Sequence, residues 1–104
     1  MGLFNRKSKA EPKSFPDSLN TAVFSTVYVV DGNKPITYIS HDADDGAWQF
    51  MSDDPFDDLG QVAKIVSLQQ IVEIDPTVLE VADLEEGYFA QRKEVGSKWK
   101  VKKK

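Results

Sequence analysis

The sequence predicts an α+β fold, a single mainly antiparallel sheet with one or two short helices packed on one face. Three observations carry this. Residues 36–51 read as an apolar run, an acidic turn ending in Gly46 and a second apolar run, with both flanks alternating at a period of two and rich in β-branched and aromatic side chains. Two helix starts are written further on: Ser67-Leu68-Gln69-Gln70 matches a capping box, and Asp75-Pro76 places an N-cap Asp before a Pro at the first helical position. Finally, 104 residues with 40% apolar and 11% aromatic content fit one modest core and not two.

In chain order, residues 1–19 read as a basic, disordered leader closed by Pro16-Asp17-Ser18, because Lys-rich segments with Ser and Pro bury too little surface to offset their ordering entropy. The single domain is expected over residues 20–101. Residues 22–30 alternate cleanly, with Val23, Ser25, Val27 and Val29 opposite Ala22, Phe24, Thr26, Tyr28 and Val30, and predict the first strand. Asp31-Gly32 then signals a hairpin turn, and Pro35 is tolerated before the next strand. The expectation is a three-stranded meander over residues 22–30, 36–41 and 47–51, since connections this short permit only antiparallel pairing.

Residues 52–60 form a polar loop in which Phe56 is a candidate plug to the core. A short strand over 61–66 leads to a helix from Leu68 to about Ile74, which would bury Leu68, Ile71 and Val72. One or two helical turns follow Asp75-Pro76. Two last strands, over 88–92 and 98–101, would form a hairpin about Gly96-Ser97, with Trp99 and Val101 on one side. Residues 102–104 read as a basic tail.

Charge is distributed unevenly. The overall charge of −4 resolves into +8 at the two ends and −12 between them. A nucleic-acid role is therefore limited to weak, nonspecific phosphate contacts by the ends, which the acidic body opposes. The longest uncharged apolar stretch near the start is too short to cross a bilayer, and no signal peptide opens the chain, so a cytoplasmic protein without a membrane partner is expected. The chain has no Cys, which excludes disulfides, thiolate metal sites and thiol nucleophiles.

A set of short segments carries a resemblance. Tyr38-Ile39-Ser40-His41-Asp42, Asp45-Gly46-Ala47-Trp48-Gln49-Phe50, Val66-Ser67-Leu68, Glu73-Ile74-Asp75-Pro76, Ala82-Asp83-Leu84 and Gly87-Tyr88, with Ala90, Arg92 and Trp99, resemble a group of small bacterial domains of unknown function. Some relatives of that group are immunity-protein-like. The resemblance implies, by association, a protein that binds and neutralises a toxin.

Candidate chemistry is sparse. Ser40-His41-Asp42 has the residue types of a catalytic triad, but consecutive strand residues point to opposite faces and cannot converge. Seven carboxylates, Asp42, Asp44, Asp45, Asp53, Asp54, Asp57 and Asp58, lie between positions 42 and 58 with no Lys or Arg among them. An EF-hand would need Gly sixth and Glu twelfth, whereas Gly46 falls fifth and Asp53 twelfth. No metal, cofactor or catalytic residue is therefore assigned. The favoured expectation is a non-enzymatic protein-binding module in which Tyr38, His41 and Trp48 join those seven Asp residues against a basic partner surface. The alternative is a small metal-dependent or hydrolytic enzyme using the same carboxylates.

Overall fold

Val23 and Ser25 turn inward and Ala22 and Phe24 outward along β1 (Ala22–Thr26), which is the alternation expected of a strand with one face on a core. The computed structural model describes residues 13–104. The strand ends earlier than the periodicity predicts. Val27–Val30 coil into a single helical turn, α1, which drives Val29 into the core and leaves the Val27 and Tyr28 carbonyls capped by the backbone N–H groups of Asp31, Gly32 and Lys34. Gly32 is required there: a Cβ at this position would stand 2.7 Å from the Tyr28 carbonyl oxygen. Asp31-Gly32 thus terminates a helical turn and makes no hairpin.

That turn redirects the chain, and the expected meander is corrected. β2 (Tyr38–His41) and β3 (Trp48–Met51) do form an antiparallel hairpin, but β1 pairs with β3, in parallel, and not with β2. Residues 27–37 carry the chain one strand position beyond a hairpin, and β3 fills the gap on its return. After a second helical turn, α2 (Leu59–Val62), β4 (Ala63–Ser67) runs antiparallel to β1. β5 (Tyr88–Gln91) lies on the other side of β2, and β6 (Lys100–Lys103) closes that end. The six-stranded sheet has the order β4-β1-β3-β2-β5-β6 and is antiparallel at every pair but β1–β3.

Both helix starts form where the sequence predicts, the first with only the Ser67 half of its capping box. The Ser67 hydroxyl accepts from the Gln70 backbone N–H at 3.1 Å and opens α3 (Leu68–Ile74). Asp75 accepts from the Thr77 N–H at 2.9 Å at the head of a 3-10 helix (Pro76–Val81). Leu68 and Ile71 from the first, and Val78 and Val81 from the second, pack with Val23, Ile39, Phe50 and Ala90 on one face of the sheet. Each such side chain contributes about 1.5–3 kcal/mol by leaving water.

Two chain boundaries shift. Phe15 belongs to the core, edge-on to Trp48 with ring centroids 5.0 Å apart, so the folded unit begins before residue 20. The rest of the expected leader, residues 1–12, lies outside the described residues. At the other end, Lys102 and Lys103 pair with β5 and Trp99 precedes the strand, so the basic tail is largely the last strand. Phe56 is exposed and does not plug the loop.

Candidate binding face

Among the described residues, α3 and the 3-10 helix pack on one face of the sheet. On the other, the register aligns Ile65, Phe24, Gln49, Ser40, Phe89 and Lys102 in a single row across all six strands. Ile65 is 67% exposed and Phe24 36%, large values for neighbouring apolar residues on a sheet surface. Beside this row Tyr38 stacks on Phe89, with ring centroids 5.6 Å apart and planes at 26°.

Asp42 sits at the end of β2 on the same face. It accepts from Gln49 Nε2 at 3.0 Å and from Ser40 Oγ at 3.4 Å, and pairs with Lys104 Nζ. Burial alone pushes this carboxyl upward, but the Lys104 hydrogen bond and charge, with the Gln49 and Ser40 donors, outweigh it and hold the group below its ordinary value near 3.8. Lys104 is raised in turn, above 10.5, chiefly by the hydrogen bond to Asp42. The turn that follows is built by Asp45, whose Oδ1 accepts from the Ala47 N–H at 2.9 Å, and by Gly46 at φ +73°. Asp44 is left facing solvent.

The expected site is only partly assembled. Trp48 is 1% exposed and His41 is buried, so neither can anchor a partner as expected. The two rings stack at 3.9 Å, and His41 Nδ1 donates to the Leu84 carbonyl at 2.8 Å. Both are pillars of the core. The ladder explains why: Trp48 shares the inward side of β3 with Phe50.

The carboxylates do not form one cluster either. Asp42, Asp44 and Asp45 lie in the β2–β3 turn, while Asp53, Asp54, Asp57 and Asp58 follow β3 at the opposite end of the hairpin, about 13 Å of strand away. In the second group, Asp58 caps the Gly60 N–H at 2.9 Å, Asp54 pairs with Lys34 at 3.6 Å and accepts from Ser52 Oγ at 2.7 Å, and Asp53 and Asp57 are exposed. Among the described residues no three His, Cys, Asp or Glu side chains are grouped so as to hold a metal ion. The seven carboxylates thus stand in two groups at opposite ends of the hairpin.

Sequence reasoning missed Phe24, Ile65, Phe89 and the lysines of β6 as surface features. The alternation of residues 22–26 already places Phe24 opposite Val23, so its side was readable. Which side the helices would cover was not. Compared with family models, curated proteins and solved structures, the chain matches none of them.

Proposed function

We propose that the chain is a non-enzymatic protein-binding module, immunity-like in role, whose partner docks on the helix-free face of the sheet. The observation that carries this reading is the adjacency of Ile65 and Phe24, two exposed apolar side chains held in register on the face opposite α3 and the 3-10 helix. An apolar surface on a rigid sheet is an inexpensive docking plane, because little side-chain freedom is lost on contact. The Tyr38–Phe89 stack continues it. At one end of the face Asp44 and Asp45 offer charge to a basic partner surface, where they speed encounter and reject acidic competitors. The cytoplasm of a bacterial cell is the setting this role implies. No helix among the described residues is long and apolar enough to cross a membrane.

The test is co-expression with each protein encoded beside this one, followed by size-exclusion chromatography and calorimetry of any complex. A stoichiometric complex is expected, weakened about tenfold or more by Ile65→Lys or Phe24→Lys. Asp44→Lys with Asp45→Lys should slow association and flatten its salt dependence. Failure of every neighbour to bind, or a complex indifferent to both variant sets, would overturn the reading.

A further inference from the structure

A second surface lies at the edge of the sheet rather than on its face. β6 is the terminal strand, paired on one side only among the described residues, and all four of its residues are exposed. The Lys104 N–H donates to the Gly87 carbonyl at 2.8 Å, which fixes the phase of the ladder. Antiparallel pairing alternates, so the backbone groups of Lys100 and Lys102 point at β5 while those of Val101 and Lys103 point away from the sheet.

The side chains divide in the same way. Val101 and Lys103 stand opposite Ala90 and Tyr88, on the helix side, whereas Lys100 and Lys102 stand opposite Gln91 and Phe89, on the helix-free side. Along the helix side runs a groove of about 620 Å³ whose apolar lining includes Leu84, Tyr88, Trp99 and Val101. That volume lies within the range of sites that take side chains or small ligands. The Trp99 indole N–H is buried with no acceptor among the described residues, an unmet donor beside the edge. Glu80, Asp83 and Glu85 border the groove together with Lys98 and with Lys13, which pairs with Asp83, so it is the apolar lining that sets what the groove takes.

We propose that the free edge of β6 and the groove beside it accept an extended segment of a partner protein in which large apolar residues alternate with acidic ones. Backbone groups of Val101 and Lys103 hydrogen-bond the added strand. Its apolar side chains enter the groove, and its carboxylates fall next to Lys100 and Lys102 as cross-strand pairs. The groove sets the register, since a slip of one residue would turn the apolar side chains away from it and toward Lys100 and Lys102. Edge lysines ordinarily repel further strands, and here they discriminate: a basic or purely apolar strand is refused and an acidic alternating one accepted. This site borders the docking face proposed above, Lys100 and Lys102 lying at its margin, but it uses the strand edge and the groove on the helix side, which that face does not.

The probe is the end-blocked peptide Val-Glu-Leu-Glu-Val-Glu, titrated into the full-length, ¹⁵N-labelled protein, with Val-Lys-Leu-Lys-Val-Lys as control. Saturable shifts are expected at the Val101 and Lys103 amides and the Trp99 indole, with the acidic peptide only. Lys100→Glu with Lys102→Glu should reverse the preference by about tenfold. Val101→Pro removes an outward N–H while sparing the donors to β5, and should abolish binding of the acidic peptide. If that variant unfolds, the charge reversal decides. No saturable shift at millimolar peptide, shifts confined to β4, or a preference unmoved by reversal would each overturn the proposal.

Discussion

Arg92 reaches from the end of β5 to Asp75 at the head of the 3-10 helix, its Nη2 2.7 Å from Oδ2, with no part of its side chain in contact with solvent. All three guanidinium nitrogens donate. Nε and Nη2 donate to the Ile36 carbonyl at 3.0 and 2.9 Å, Nη1 donates to Thr77 Oγ1 at 2.9 Å, and the flat ion lies 4.0 Å from the centre of the Trp99 ring. One side chain therefore ties together the approach to β2, the end of β5, the 3-10 helix and the segment before β6. Arg92→Ala leaves Asp75 buried without its cation and should cost about 3–5 kcal/mol in urea unfolding. Arg92→Lys, which cannot reproduce the fork, should recover only part of that. A loss below about 1 kcal/mol for Arg92→Ala would show that water replaces the clamp.

Phe15 offers a check on where the folded unit begins. It packs on both Trp48 and Phe50, with centroids 5.0 and 6.1 Å away. Phe15→Ala should cost about 3 kcal/mol, near the low end for deleting a buried aromatic, because the site lies at the margin of the core. Chemical denaturation at neutral pH reads this directly, and a neutral outcome would return the segment to the status of a leader.

The Asp42–Lys104 pair gives stability a defined pH dependence. Asp42 is depressed in the folded state, so its contribution is complete above the unfolded value, about 3.9, and is lost as pH falls through the lower folded value. Lys104 is raised, so its contribution is complete below its ordinary 10.5 and is lost as pH rises through the raised value. Lys104 is 40% exposed, which keeps the pair below about 1 kcal/mol at moderate salt. Lys104→Met should therefore flatten the acid limb below about pH 4 and the alkaline limb above about pH 10 in thermal unfolding. Limbs identical to those of the unmodified protein would refute the assignment.

Divalent cations should leave the melting temperature unchanged. The carboxylates of residues 42–58 are divided between two ends of a hairpin, and Asp42, Asp54 and Asp58 already accept from protein donors. A ligand that bound only the folded state would raise the transition by mass action. Calorimetry with millimolar Ca²⁺ or Mg²⁺ decides it, a saturable rise being the contrary result.

What was legible in the sequence was local. Ser67 and Asp75 form their caps because the donors they satisfy lie two or three residues away, so no distant partner is needed to specify them. The β2–β3 hairpin is of the same kind. Residues 27–30 defeated the same logic, since a run of Val, Tyr, Val and Val has the alternation of a strand and the intrinsic preference of one. Tertiary demand overrides it: Val29 is buried only if the chain turns there, and Gly32 permits the close return past Tyr28. The alternation separates Phe24 from Val23, but nothing local says which side of the sheet the helices cover, and the expected exposure of Trp48 and His41 fails for that reason.

The insertion of β3 beside β1 also governs the order of events when the chain is made. β1 leaves the ribosome early, yet both of its neighbours are encoded later, at Trp48–Met51 and Ala63–Ser67. Its inward Val23 and outward Phe24 therefore stay unpaired through the synthesis of the β2–β3 hairpin, which can close by itself. The sheet cannot assemble from one end to the other. Each of β1's pairings closes a long loop, a nonlocal step that slows folding and leaves the strand open meanwhile to a chaperone or to another copy of itself.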